Sequence, residues 1–157
     1  MADIKIIVDS GSDIPQDIAD KYNIGVISFL SIFGTEQYVQ RTEITNEQFF
    51  DKLEEYDGIP TTSQTPFGDM LDYFKQQCEE HESVIYFALS SAASGQYQTA
   101  NLVKSEIEEE NPNADFHIVD TQKFSLYIAQ TAVHAAQMAK DGKSAVSYTH
   151  LRAHETR

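Results

Sequence analysis

Cysteine is nearly absent from this chain: Cys78 stands alone among 157 residues. No disulfide can form within it, and a lone thiol suits a reducing compartment, so a cytoplasmic location is expected. Positive charge is scarce as well. Eleven Lys and Arg face 25 Asp and Glu, a formal net charge of −14. Nucleic acid is therefore an improbable partner, because phosphate binding needs clustered basic residues. No stretch approaches the roughly 20 apolar residues of a membrane span. The opening MADIKIIVDS lacks the basic region and long apolar core of a signal peptide. Two chemical signatures are missing too, the phosphate loop G-x-x-x-x-G-K-[ST] and the nucleophile elbow G-x-S-x-G. No alternating-acid loop with glycine is present to hold Ca²⁺. No metal and no cofactor are expected.

What the chain does have is alternation. IKIIV (4–8), IGVISFLSIF (24–33), SVIYFAL (83–89) and ADFHIV (114–119) read as strands, the first and third apolar enough to be covered on both faces. TEQYVQ (35–40) reads as a polar return strand. Helices are expected from Pro15 to about Tyr22, over 45–56 behind Thr45 or Asn46 as a cap, and from Pro66, where Phe67, Met70, Leu71 and Phe74 share one face. Two more are expected over 97–110 and from Leu126 to Lys140, the last stopping at a Gly142 C-cap. The acidic runs EEHES (79–83) and KSEIEEENP (104–112) read as solvated helix ends. Strands separated by helical crossovers imply an α/β fold, a mostly parallel sheet with helices on both faces.

In such a sheet, ligands bind beyond the carboxyl ends of the strands. There the sequence repeats a theme: DSGSD (9–13), LSSAASG (89–95) and DTQKFS (120–125) each follow a strand, so hydroxyl-rich loops should gather along one edge. Thr61, Thr62 and Ser63 could cap the helix that follows them, and Ser90, Ser91 and Ser94 could do the same for theirs. Equally, hydroxyls beside helix N-termini could hold an anion. Asp9 and Asp120 could hold loop N–H groups or touch a ligand. His117 and His134 read as structural. Phe29, Phe33, Phe87 and Phe124 suit either a core or an apolar channel.

Four segments carry a resemblance. VDSGSDIP (8–15), TTSQTP (61–66), LSSAASGQYQTA (89–100) and IVDTQKFS (118–125) resemble, in order and spacing, the DSTSDLP, TTSQPS, LSSGLSGTYQSA and VIDS segments of the DegV family of bacterial fatty-acid-binding proteins. The resemblance covers about residues 3 to 144. It implies a protein of two α/β domains, of which 1–144 is the N-terminal one and the second is missing here. It further implies a long-chain fatty acid held in an apolar tunnel, with Thr62 and Ser94 binding the carboxylate and Ser63, Ser91 and Gly95 supporting them. Palmitate is a representative ligand, and a fatty acid kinase is the implied partner. The pattern is departed from at Ala92-Ala93 for Gly-Leu, at Gln96 for Thr, and at Gln64-Thr65-Pro66, where the proline moves by one.

Two rivals to this carrier without chemistry are weaker. A serine hydrolase on Ser91 or Ser94 needs a His and an acid in reach, and AASGQ lacks the first glycine of the elbow. A phosphate or nucleotide module needs a lysine, and neither 61–66 nor 89–97 has one. The final stretch, residues 145–157, AVSYTHLRAHETR, resembles a peptide translated from sequencing-adaptor sequence and is expected to be non-native. Its His150 and His154 are spaced like a helical metal pair but have no third ligand nearby.

Overall fold

A computed structural model describes residues 3–143 and Tyr148. Four strands, β1 (Ile4–Asp9), β2 (Gly25–Ile27), β6 (Ser83–Ala88) and β7 (Phe116–Asp120), form one sheet in the order β2-β1-β6-β7, all parallel. Central β6 is buried at all six positions, which is why its run carries no polar alternation. Its side chains divide by parity. Ile85 and Phe87 join Ile6 and Val8 beneath α1 (Gln16–Tyr22) and α5 (Leu126–Lys140). Val84, Tyr86 and Ala88 join Ile7 beneath α3 (Phe67–Glu80) and α4 (Gln96–Glu110). The expected α/β architecture, with helices on both faces, is what the chain forms.

Helix ends follow their local chemistry. Thr45 caps α2 (Asn46–Glu55) in a reciprocal box with Gln48, which satisfies two otherwise orphan N–H groups. Gly142 takes a φ of +77° just past α5, and Lys143 N–H bonds Met138 O, as a left-handed C-terminal stop requires.

The structure departs from expectation at 24–33. Rather than one strand, the segment breaks at Ser28-Phe29, and β3 (Leu30–Phe33) leaves the parallel sheet. It becomes the centre of a second, antiparallel sheet between β4 (Glu36–Val39) and β5 (Thr61–Ser63). Phe33 anchors this layer, packing edge-on to Tyr38, Phe49 and Tyr56 at centroid distances of 6.5, 5.4 and 5.3 Å. Thr61–Ser63 is therefore a strand, although DGIPTTSQTP (57–66) has the composition of a turn. Of the 145–157 segment, only Tyr148 lies within the described residues; it is buried in the α1–α5 core, and its hydroxyl donates to Lys143 O at 3.1 Å. The spaced pair His150 and His154 lies outside them.

Candidate ligand-binding site

The loops after β1, β6 and β7 meet at the carboxyl edge of the parallel sheet. The strands flanking β6 each end in an aspartate that reaches across to the loop after β6. Asp9 Oδ2 accepts the Leu89 N–H at 2.7 Å and the Tyr86 hydroxyl at 3.0 Å. Asp120 accepts the Ser91 N–H at 3.1 Å and the Ser91 hydroxyl at 2.6 Å. Both carboxylates thus hold loop donors. The loop closes on itself as Ala93 and Ser94 N–H groups bond Ser90 O. Ser125 ties the remaining segment in, donating its N–H to Gly11 O and its hydroxyl to Asp13 Oδ2 at 2.5 Å.

Asp9 is fully buried, and its second oxygen, Oδ1, has no hydrogen-bond partner among the described residues. Burial pushes its carboxyl up to about 6, against the lowering effect of its bonds to Leu89 and Tyr86. Burial raises Tyr86 well above a normal tyrosine, with the Asp9 charge adding to the effect.

The segment 61–66 approaches the same loop from the second sheet. Thr62 pairs with Ser31 across β3 and β5 and is exposed. Its hydroxyl bonds no other described residue. Ser63, half-buried, donates to Gln64 O at 3.3 Å. The expected capping role fails for this segment: Pro66 occupies the N-cap of α3 and no side chain caps it, because Thr61–Ser63 is committed to β5, paired with β3, before the helix begins. Ser94 Oγ accepts the Gln96 N–H at 3.2 Å, so its own hydrogen stays available to a ligand. Ser91 has spent its hydrogen on Asp120. Gly95 stands at the N-terminus of α4 with φ −72°, a conformation open to any residue. A Cβ there would lie 2.5 Å from Gln64 Oε1, so the amide of Gln64 rests on Gly95.

The two hydroxyl segments are joined by a pair that sequence reasoning missed. Gln96, fully buried, accepts the Thr65 N–H at 3.0 Å and donates Nε2–H to Thr65 Oγ1 at 2.9 Å. Thr65 Oγ1 donates in turn to Ser28 O at 2.8 Å. The only signal was that both residues sit where the family pattern is broken. A third link runs through Ser10, whose hydroxyl accepts the Phe29 N–H and donates to Gln40 Oε1 at 2.7 Å.

Ser94 therefore lies at the α4 N-terminus, whose first turn holds no acid, and Thr62 stands on the neighbouring segment, three residues before the Thr65 that Gln96 holds to that helix. Free hydroxyl hydrogens next to a helix N-terminus favour an anion. Phe124, Leu126 and Tyr127 are exposed where α5 begins, and an open groove of about 330 Å³ runs between α1 and α5 along Ile18, Leu126 and Val133. Phe29, Phe33 and Phe87 are buried in the core. His81 and His117 pair with Asp3 and Asp115 at 2.9 and 2.7 Å, at the opposite, amino edge of the sheet, while His134 lines the α1–α5 groove. Among the described residues no histidine bonds Ser91 or Ser94, and no cluster of three metal-ligating side chains occurs.

Residues 3–156 match a family model described as uncharacterised protein, DegV family. Two DegV domain-containing proteins of Clostridium perfringens are 31% and 34% identical, over 89% and 88% of this chain and 49% and 48% of theirs. Among solved structures, DegV from Bacillus subtilis, described as a fatty acid binding protein, matches with a TM-score of 0.88 at 25% identity. That match covers 98% of this chain and 53% of its own. A DegV family protein from Thermus thermophilus, described by its fatty acid binding, matches at 0.83 with 27% identity over 96% and 52%. This chain spans about half the length of the curated relatives it matches.

Proposed function

The chain belongs to the DegV family, and from that premise we propose that its hydroxyl rim binds the carboxylate of a long-chain fatty acid. Thr62 and Ser94 donate to the head group, with Ser63, Gly95 and the α4 N-terminus beside them. Ser91 supports them indirectly, through Asp120. The observation that carries the reading is the combination of two hydroxyls free to donate, Thr62 and Ser94, with apolar side chains exposed where α5 begins. Each methylene taken from water contributes about 0.8 kcal/mol, so most affinity comes from the tail and orientation comes from the rim.

The protein acts as a carrier without chemistry of its own. The serine hydrolase alternative wants a base at Ser94, whereas the hydroxyl of Ser91 is engaged with an acid and no imidazole. A phosphate or nucleotide module would want a lysine on the segments that carry Thr62 and Ser94, and 61–66 and 89–97 have none. Exposure of Thr62 suits handover of the bound head group to a fatty acid kinase, in the cytoplasm that the single thiol suits.

Native mass spectrometry of the chain purified from a bacterial host tests this reading. A retained acid should appear as added mass. Ser94→Ala and Thr62→Ala should each weaken fatty-acid binding by about 10- to 160-fold, the range expected when a hydrogen bond to a charged group is lost. Equal binding by the double variant and the parent would overturn the assignment.

A further inference from the structure

Two of the positions that break the family pattern, Thr65 and Gln96, are 31 residues apart in sequence and meet in space as a reciprocal pair. We propose that Gln96 and Thr65 form a positioning clasp that fixes the spacing of Thr62 and Ser94, and thereby selects a carboxylate over an uncharged head group. The proposal rests on the fatty-acid reading above.

Three observations support it. First, the clasp is the hydrogen-bonded connection described between the two hydroxyl segments: Thr65 is three residues beyond Thr62, and Gln96 two beyond Ser94. Second, a primary amide is the right group for the task. It accepts from the Thr65 backbone and donates to the Thr65 hydroxyl at once, so it fixes both distance and orientation. A threonine at 96 would be too short to make both bonds. Third, the clasp is dry. Gln96 is fully buried and Thr65 is 5% exposed, so water cannot substitute for a lost bond, and an unmatched group there carries its full desolvation cost. The clasp is also braced on both sides, by Ser28 O on Thr65 Oγ1 and by the Tyr86 hydroxyl beside Gln96. Neither clasp residue need touch the ligand. They act by holding two donors at one separation, and a carboxylate, with two charged oxygens, gains more from that geometry than a single hydroxyl does.

The test compares decanoate with decanol on the whole chain, by calorimetry, in the parent and in Gln96→Met, which keeps the volume but removes both bonds. The parent should prefer decanoate. The variant should lose about tenfold of that preference, while its decanol affinity changes little. If the parent shows no preference for decanoate, the fatty-acid reading itself falls, and the clasp with it. If the parent prefers decanoate and Gln96→Met keeps the same ratio, the clasp alone is refuted. A variant that weakens both ligands equally marks a merely structural residue and refutes it too. Should Gln96→Met fail to fold, Thr65→Val, which keeps the backbone bond to Oε1, decides by the same ratio.

Discussion

Asp9 shows how one residue joins fold and site. Its Oδ2 holds the loop after β6, while Oδ1 is buried without a partner among the described residues. The sign of its effect on stability follows from burial: the folded carboxyl titrates at about 6 against an ordinary 3.8, so the folded state favours the protonated form. Its contribution is favourable below pH 3.8 and is lost as pH rises through 6. Replacing it by Asn removes the titration. The stability of Asp9→Asn relative to the parent should therefore improve by about 2–3 kcal/mol between pH 4 and pH 8. Urea unfolding at the two pH values measures this, and a difference independent of pH would refute it. Asp120 holds the same loop from the other side, through the N–H and hydroxyl of Ser91. Aspartates after strands were legible in sequence, but which donors they hold was not, because Leu89 is 80 residues from Asp9.

At the scale of elements, the second sheet decides where Thr62 stands. β3 turns out of the parallel sheet because β2 ends after three residues, and Ser28 O then accepts from Thr65 rather than extending the strand. Phe33 is the residue that holds this layer to α2, since α2 itself buries no residue fully. Phe33→Ala should destabilise the protein by about 3–5 kcal/mol, the usual loss for a buried aromatic. Amide exchange should rise first over residues 30–63, with β1 and β6 keeping their protection. Uniform loss of protection across both sheets would contradict this division. The apolar run 24–33 concealed the break, because periodicity records burial and not which sheet a residue joins. β5 was concealed by its composition, since TTS flanked by prolines reads as a turn until β3 supplies a partner.

The whole molecule combines a strongly acidic surface with an apolar patch. Phe124, Leu126 and Tyr127 are 52%, 55% and 65% exposed together at the start of α5. Contiguous exposure of large apolar side chains marks a contact surface. The chain should self-associate as its concentration rises, and added salt should promote association by screening the repulsion between acidic surfaces. Leu126→Glu should return it to monomer in sedimentation velocity. A parent chain that stays monomeric at all concentrations, with and without salt, would remove the case for a contact surface.

The sequence by itself determined the alternation of elements, and with it the parallel sheet, the two helical layers and the edge where hydroxyl loops collect. Those features depend on local periodicity and on the short-range chemistry of caps and turns, which a linear string carries in full. Tertiary structure alone decided that 24–33 serves two sheets, that Asp9 and Asp120 grip one loop from either side, and that Gln96 meets Thr65. Each of these joins residues far apart in the chain through side-chain hydrogen bonds or strand pairing. Such contacts leave no periodic trace, and exist only once the backbone has folded and water has been excluded from between them.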